Sequence, residues 1–171
     1  MLELYQRELS QPVIEPGDLE LIASQHSDFL GLNYYTRGVV KHDRETAVLG
    51  FSLVEERDEE NWSEIGENYP EGLYEMLVRL DQEYDHPAIY ITENGVSYGE
   101  DDLENGRVHD LRRKEFVEEH LKAAHRAIAE GVRLERYCLW SCFDNFEWLW
   151  GYSRRFGLFY VDIETQERIW K

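Results

Sequence analysis

Three apolar runs separated by two amphipathic helical stretches limit what this chain can fold into more than any other feature of it. The runs are DFLGLNYY from Asp28 to Tyr35, AIYIT after Pro87, and YCLWSCF from Tyr137 to Phe143. Between the first and second, Leu73, Leu77, Leu80 and Tyr84 fall at i, i+4, i+7 and i+11, on one face of a helix beginning near Pro70. Between the second and third, Val117, Leu121, Ala124 and Ile128 repeat that spacing in a helix predicted from about Leu111 to Glu130. Strands so continuously apolar are expected to be buried. The order strand, helix, strand, helix, strand is that of parallel strands joined by right-handed crossovers, so the expected class is α/β.

Local signals punctuate these elements. Pro70 suits a first helical turn, Asp110 is a candidate N-cap, and Gly131 a candidate stop. Asp85, His86 and Pro87 break the first helix. LELYQREL predicts a further short amphipathic helix, closed by Pro12, Pro16 and Gly17. The stretch from Lys41 to Asn68 shows little sustained period and reads as a long surface excursion, and Gly95 to His109 reads as a Gly-, Asp- and Asn-rich loop. The closing GLFYVDIETQERIWK has room for a short hairpin. At 171 residues, 42% hydrophobic and 13% aromatic, the chain has apolar material for a single folded domain over 1–171.

Charge excludes some partners. Thirty-six acidic against 18 basic side chains give a net charge of -18, which repels phosphate backbones and anionic membrane surfaces. Neither nucleic acid nor a membrane is an expected partner, and no apolar run approaches the roughly 18 to 20 residues of a spanning helix. MLELYQRELS lacks a basic n-region and an apolar h-region, so a cytoplasmic protein is expected. Cys138 and Cys142, four apart on a strand, would lie about 13 Å from each other at about 3.3 Å per residue. That is too far for a disulfide, and both read as buried, inert thiols. His26, His42, His86 and His109 are scattered among polar loop residues, while His120 and His125 fall on different helix faces, so no metal site is expected.

In parallel α/β architectures ligands bind at the carboxyl ends of the strands. Here those ends carry Asn33, Tyr34 and Tyr35; Glu93 and Asn94; and Asp144, Asn145, Glu147, Trp148 and Trp150. A rim of carboxylates, amides and aromatic rings suits a neutral polyhydroxylated ligand: an aromatic face stacks on the C–H face of a sugar ring while carboxylates and amides take its hydroxyls. No G-x-G-x-x-G or P-loop sequence is present, so no nucleotide cofactor is expected. Taken singly, a Glu before Asn-Gly is a turn former and a Trp cluster is core; their convergence on one rim favours the functional reading.

ITENG (Ile91 to Gly95), LNYYTR (Leu32 to Arg37), YPEGL (Tyr69 to Leu73) and WSCFDNFEWLWGYSRRFGLFYVD (Trp140 to Asp162) resemble the retaining β-glycosidases of glycoside hydrolase family one, from about Pro12 to the C-terminus. The resemblance implies a partial (β/α)8 TIM barrel, about strands six to eight with their crossover helices. It implies hydrolysis of β-linked sugars by double displacement, with no cofactor and no metal. Glu93 matches the catalytic nucleophile, Tyr35 the tyrosine that hydrogen-bonds it, and Asn33 a residue lining the same pocket. Trp140 matches the platform under the sugar, and Glu147 with Trp148 the pair that holds its outer hydroxyls.

The sequence also departs from the family. The general acid/base, a glutamate in an N-E-P motif, is absent, as are the N-terminal Gln, the His-Trp pair and the Arg that complete the glycone pocket. A (β/α)8 barrel takes about 250 residues, and the family continues beyond the position of Lys171 into a last helix. The chain therefore reads as the C-terminal part of a barrel, inactive alone, whose expected partners are a β-linked sugar and the missing N-terminal portion in cis or trans, or further copies of itself. A sugar-binding module without chemistry and an inactive fragment are the competing readings. Ser153, Arg154 and Arg155 keep a phosphorylated sugar open.

Overall fold

A computed structural model describes residues 13–43, 50–54, 61–99 and 103–171; the predicted helix LELYQREL lies outside them. In chain order the elements are α1 (Asp18–Ser24), β1 (Leu30–Asn33), β2 (Val40–His42), β3 (Phe51–Leu53), β4 (Trp62–Ser63), β5 (Gly66–Glu67), α2 (Pro70–Glu83), β6 (Ile89–Asn94), β7 (Leu103–Glu104), β8 (Arg107–Val108), α3 (Leu111–Ala129), β9 (Leu134–Leu139), a 3₁₀ turn Trp148–Trp150, β10 (Phe159–Val161) and β11 (Arg168–Trp170). Two compact units result, one of Met1–Asp28 with Gly38–Glu56 and one of Phe29–Arg37 with Arg57–Lys171. The first holds α1, which exposes Leu19, Leu21 and Ile22, and the antiparallel hairpin β2–β3.

The second unit is built on a parallel sheet in the order β1-β6-β9, with α2 and α3 as its crossovers. Leu73 and Leu77 from α2, Ile89 and Ile91 from β6, Ala124 and Ala127 from α3, and Val132 form one buried cluster with Tyr34. Burying each of the larger side chains contributes about 1.5–3 kcal/mol, so this layer fixes the strand ends that follow. The other face of the sheet has no helix on it among the described residues. Thr92, Arg136 and Cys138 are exposed there, and Phe29 stacks on Tyr90 at 4.3 Å.

Several expectations change. The first strand is Leu30–Asn33 rather than the whole of Asp28 to Tyr35, and the third ends at Leu139, before Trp140. Of the three strands only β6 carries fully buried residues; β1 and β9, as the sheet edges, are half-covered. Cys138 and Cys142 are consequently exposed, not core. The expected excursion from Lys41 to Asn68 contains the hairpins β2–β3 and β4–β5, and the Gly95 to His109 loop contains β7–β8. On α2 the stripe holds for Leu73 and Leu77, while Tyr84 caps the helix and is exposed.

On α3 the buried face is Arg113, Phe116, His120, Ala123, Ala124 and Ala127, one residue out of phase with the expected stripe; Leu121 and Ile128 face away. The short alanines let the helix approach the sheet closely, which the larger Leu121 and Ile128 would prevent. Asp110 makes no capping bond to the helix; its carboxylate takes the Arg113 guanidinium instead. Gly131 does end the helix, with φ 106°.

His120 stacks on Phe116 at 4.0 Å, is fully buried, and leaves Nε2 without a partner while Nδ1 meets the Phe116 carbonyl at 2.8 Å. Burial holds its pKa below the ordinary 6.5. The unfolded chain therefore binds this proton more readily than the folded one, and stability is lost as pH falls through 6.5 towards the folded value, by up to about 1.4 kcal/mol per unit. In urea unfolding at pH 7.5 and 5.5, wild type is expected to lose more stability than His120→Phe; equal losses would remove His120 from the pH response.

Candidate active site

Register decides where Glu93 points. Against β1 the pairs are Leu32 with Ile91 and Asn33 with Glu93, so Thr92 is one residue too many on β6. Against β9 the pairs run from Ile91 with Tyr137 to Asn94 with Leu139, and the same surplus appears. A bulge of this kind breaks the alternation of faces. Without it Glu93 would share the face of Ile89 and Ile91 and enter the apolar layer. Paired with Asn33, it shares the face of Gly31 instead, away from the helices.

Tyr35, just past the end of β1, donates its hydroxyl to Glu93 Oε2 at 2.8 Å. Burial first, and the Glu93 carboxylate second, push the Tyr35 pKa far up, so the group remains a proton donor across the neutral range. Phe156 meets the Tyr35 ring edge-on at 6.2 Å. Removing the hydroxyl in Tyr35→Phe takes away a hydrogen bond to a charged group, worth about 1.5–3 kcal/mol. The rate at which a mechanism-based inhibitor labels Glu93, the expected nucleophile, should drop about ten- to a hundred-fold, alongside a lower unfolding midpoint.

Asn94 is the pin beneath Glu93. It is fully buried, gives Nδ2 to the Tyr34 carbonyl at 2.8 Å, accepts the Tyr137 hydroxyl on Oδ1, and accepts the Trp140 main-chain N–H at 2.8 Å on its own carbonyl. One residue thus ties the ends of β1, β6 and β9. Tyr34 in turn donates to the Tyr69 carbonyl at 2.6 Å, and burial pushes its pKa up to about 12. Gly95 follows because the Trp140 carbonyl lies where a Cβ would be.

Beyond β9, Trp140 Nε1 donates to Glu147 Oε1 at 2.9 Å, and Asn145 Nδ2 reaches the same oxygen at 2.6 Å. Glu147 is only 6% exposed. The loop that carries it is held by Asp144, which accepts from Gly157 N (2.9 Å), Val161 N (3.3 Å), Arg155 Nη1 (2.7 Å) and Lys171 Nζ (2.9 Å). The expected pairing of Glu147 with Trp148 does not extend to packing: Trp148, with φ 46°, is 84% exposed, and Leu149 beside it 100%. Asn33 is exposed and accepts the Thr92 hydroxyl at 2.6 Å. Among the described residues no three His, Cys, Asp or Glu side chains gather as a metal site would require.

Two anchors escaped sequence reasoning. Arg113 is buried and donates to Asp110, to the Val96 carbonyl and, at 3.0 Å, to the Arg155 carbonyl, so it joins α3 to the segments after β6 and after the Trp140 loop. Ser97, also buried, donates to Glu64 at 2.6 Å and accepts from Arg155 N at 3.2 Å. Arg113 was legible only as a basic residue three places after an aspartate on a helix that proved to be out of phase.

A parallel β/α sheet that presents a tyrosine-bonded carboxylate and an indole-bonded carboxylate from its strand ends defines an α/β protein, of the class whose ligands bind at the carboxyl ends of the strands. The profile of Glycosyl hydrolase family 1 matches residues 1–171, and the chain belongs to that family. It is 47% identical over 144 residues to a beta-glucosidase A of Thermotoga maritima, covering 84% of this chain and 32% of that protein. It is 39% identical to a 6-phospho-beta-galactosidase of Clostridium acetobutylicum, covering 91% of this chain and 37% of the other. Among solved structures, the family 1 β-glucosidase of Thermotoga maritima superposes with a TM-score of 0.89 at 42% identity, over 99% of this chain and 37% of that one. The AHE enzyme of Alicyclobacillus herbarius gives 0.90 at 41%, again over 99% and 37%. The chain spans about a third of the length of the relatives it matches.

Proposed function

We propose that this chain carries the nucleophile side of a retaining β-glycosidase, with β1, β6 and β9 standing as the sixth, seventh and eighth strands of a (β/α)8 barrel. The observation that carries the reading is the 2.8 Å hydrogen bond from Tyr35 to Glu93 at the bulged end of β6. Glu93 attacks the anomeric carbon as the bond to the leaving oxygen breaks; that oxygen takes a proton from a second carboxyl about 5–5.5 Å away. Water then attacks the same carbon, gives its proton to that second group, and frees Glu93. The second carboxyl belongs to the part of the barrel outside this chain, so turnover needs that part in cis or in trans.

Trp140 and Glu147 form the sugar platform and grip, with Asn33 at its edge and Trp148 on its outer side. The name of the Thermotoga maritima relative supports a β-glucoside as substrate. A neutral rather than a phosphorylated sugar fits the loop after Glu147, because Arg154 is paired with Glu64 at 3.0 Å and Arg155 with Asp144 at 2.7 Å. The bare sheet face and the open edges of β1 and β9 support the incomplete barrel.

The test is covalent labelling. A 2-deoxy-2-fluoro-β-glucoside with a dinitrophenolate leaving group, which departs without acid assistance, is incubated with this chain together with the N-terminal portion of a family relative. The sugar is expected on the peptide containing Glu93, and the chain alone is expected to show no turnover of an aryl β-glucoside. A label on a different residue would overturn the nucleophile assignment. Robust turnover by the chain alone would overturn the claim that the acid/base lies outside it.

A further inference from the structure

We infer that Asn145 is a positioning residue: it fixes the plane of the Glu147 carboxylate before the sugar arrives. The inference rests on the reading of Glu147 as a sugar-hydroxyl ligand. Both protein donors to Glu147 converge on Oε1, from Trp140 Nε1 at 2.9 Å and from Asn145 Nδ2 at 2.6 Å. Among the described residues Oε2 receives no donor. A carboxylate held by one N–H swings about that contact; a second donor arriving from another direction removes the swing, and the rotamer freedom is given up before the ligand arrives.

Asn145 itself is not free to turn. Glu147 only accepts, so the NH₂ must face it, and Oδ1 lies 3.0 Å from the Ser141 hydroxyl, whose single proton is shared with the Phe143 carbonyl at 2.7 Å. The backbone on its N-terminal side is anchored by Asp144, which is buried and accepts two main-chain N–H groups and two cations. Ser141 follows Trp140, so the chain of contacts returns to the indole that holds the same oxygen. A neutral amide is required at position 145. A carboxylate there would face Glu147 within hydrogen-bond distance and repel it.

The test uses Asn145→Leu, Asn145→Asp and Glu147→Gln, alone and as the Asn145→Leu/Glu147→Gln pair. On the isotope-labelled chain alone, the Trp140 indole N–H resonance reports the bond to Glu147. Asn145→Leu is expected to shift and broaden it, and Asn145→Asp to displace it at pH 8 but recover it as acid gives the carboxylate pair a proton. In the complex with the N-terminal portion, Glu147→Gln and Asn145→Leu are each expected to raise KM for a β-glucoside about ten-fold, the loss of one charge-assisted hydrogen bond, with kcat changed less. The double variant should be no worse than Glu147→Gln, since the two act as a unit.

An indole signal unmoved in Asn145→Leu overturns the proposal, as does a KM raised by Glu147→Gln and untouched by Asn145→Leu. If Glu147→Gln itself leaves KM unchanged, the sugar-binding role of Glu147 falls first and takes this inference with it. A pH-independent loss in Asn145→Asp would mark a structural role only and count against positioning. Because the resonance is read on the chain alone, its response does not depend on association of the two portions.

Discussion

Replacing Glu93 with alanine, in the chain combined with its N-terminal complement, is expected to cut turnover of an aryl β-glucoside by about a thousand-fold or more. Geometry is the reason. The bulge at Thr92 turns Glu93 out of the apolar layer, and Tyr35 orients Oε2 at 2.8 Å, so no neighbouring carboxylate can take over attack from the same side. Asp144 is occupied by four donors and Glu147 is held by two. Alanine leaves space for a small external anion. Azide should restore part of the rate and yield the α-glycosyl azide, because it attacks from the face that Glu93 vacated. A variant within ten-fold of wild type, or a β-configured azide product, would take the nucleophile role away from Glu93.

Gly95→Ala is expected to be among the most damaging single methyl additions in the second unit. Its Cβ would overlap the Trp140 carbonyl oxygen, a main-chain atom with no side-chain freedom to move away. The two segments are pinned at that point by the Trp140 N–H to the Asn94 carbonyl at 2.8 Å. The ends of β6 and β9 must therefore separate, at about 3 kcal/mol or more, and the same separation draws Glu93 away from Trp140. Gly106→Ala is the control: φ is 76° but nothing lies within 4 Å of its Cβ, so backbone strain alone should cost about 1 kcal/mol. Urea midpoints compare the two, and labelling of Glu93 should fall in Gly95→Ala only. Equal midpoints would mean that the close approach is not maintained in solution.

The layer that holds the site was legible because periodicity survives locally. Leu73 and Leu77 on one helix and Ile89 and Ile91 on one strand are where apolar spacing put them. The phase of α3 was not legible, because its buried face carries Arg113 and His120, residues whose burial depends on partners distant in sequence. The direction of Glu93 was likewise hidden. Strict alternation through IYITE groups it with Ile89 and Ile91, and only the pairing to β1 and β9 reveals the surplus residue that reverses it. Trp140 and Glu147 were visible as residue types beside a strand end; that they bond to each other, and that Asn145 shares the contact, follows from the loop closing back on itself. The exposure of Trp148 was not legible either, since a run of aromatics gives no sign of the left-handed backbone that swings this indole out.

The single residue Asn94 has a consequence for how such chains can be recombined. Because it links the ends of β1, β6 and β9, the proposed nucleophile, its tyrosine and the indole platform form an inheritable block from Leu30 to Trp140. A chimera between two family members with its joint upstream of Leu30 transfers that block whole. A joint inside it mixes strand ends from different parents at their most closely packed point, and the resulting hybrids should be lost to misassembly before any difference in substrate preference can be selected.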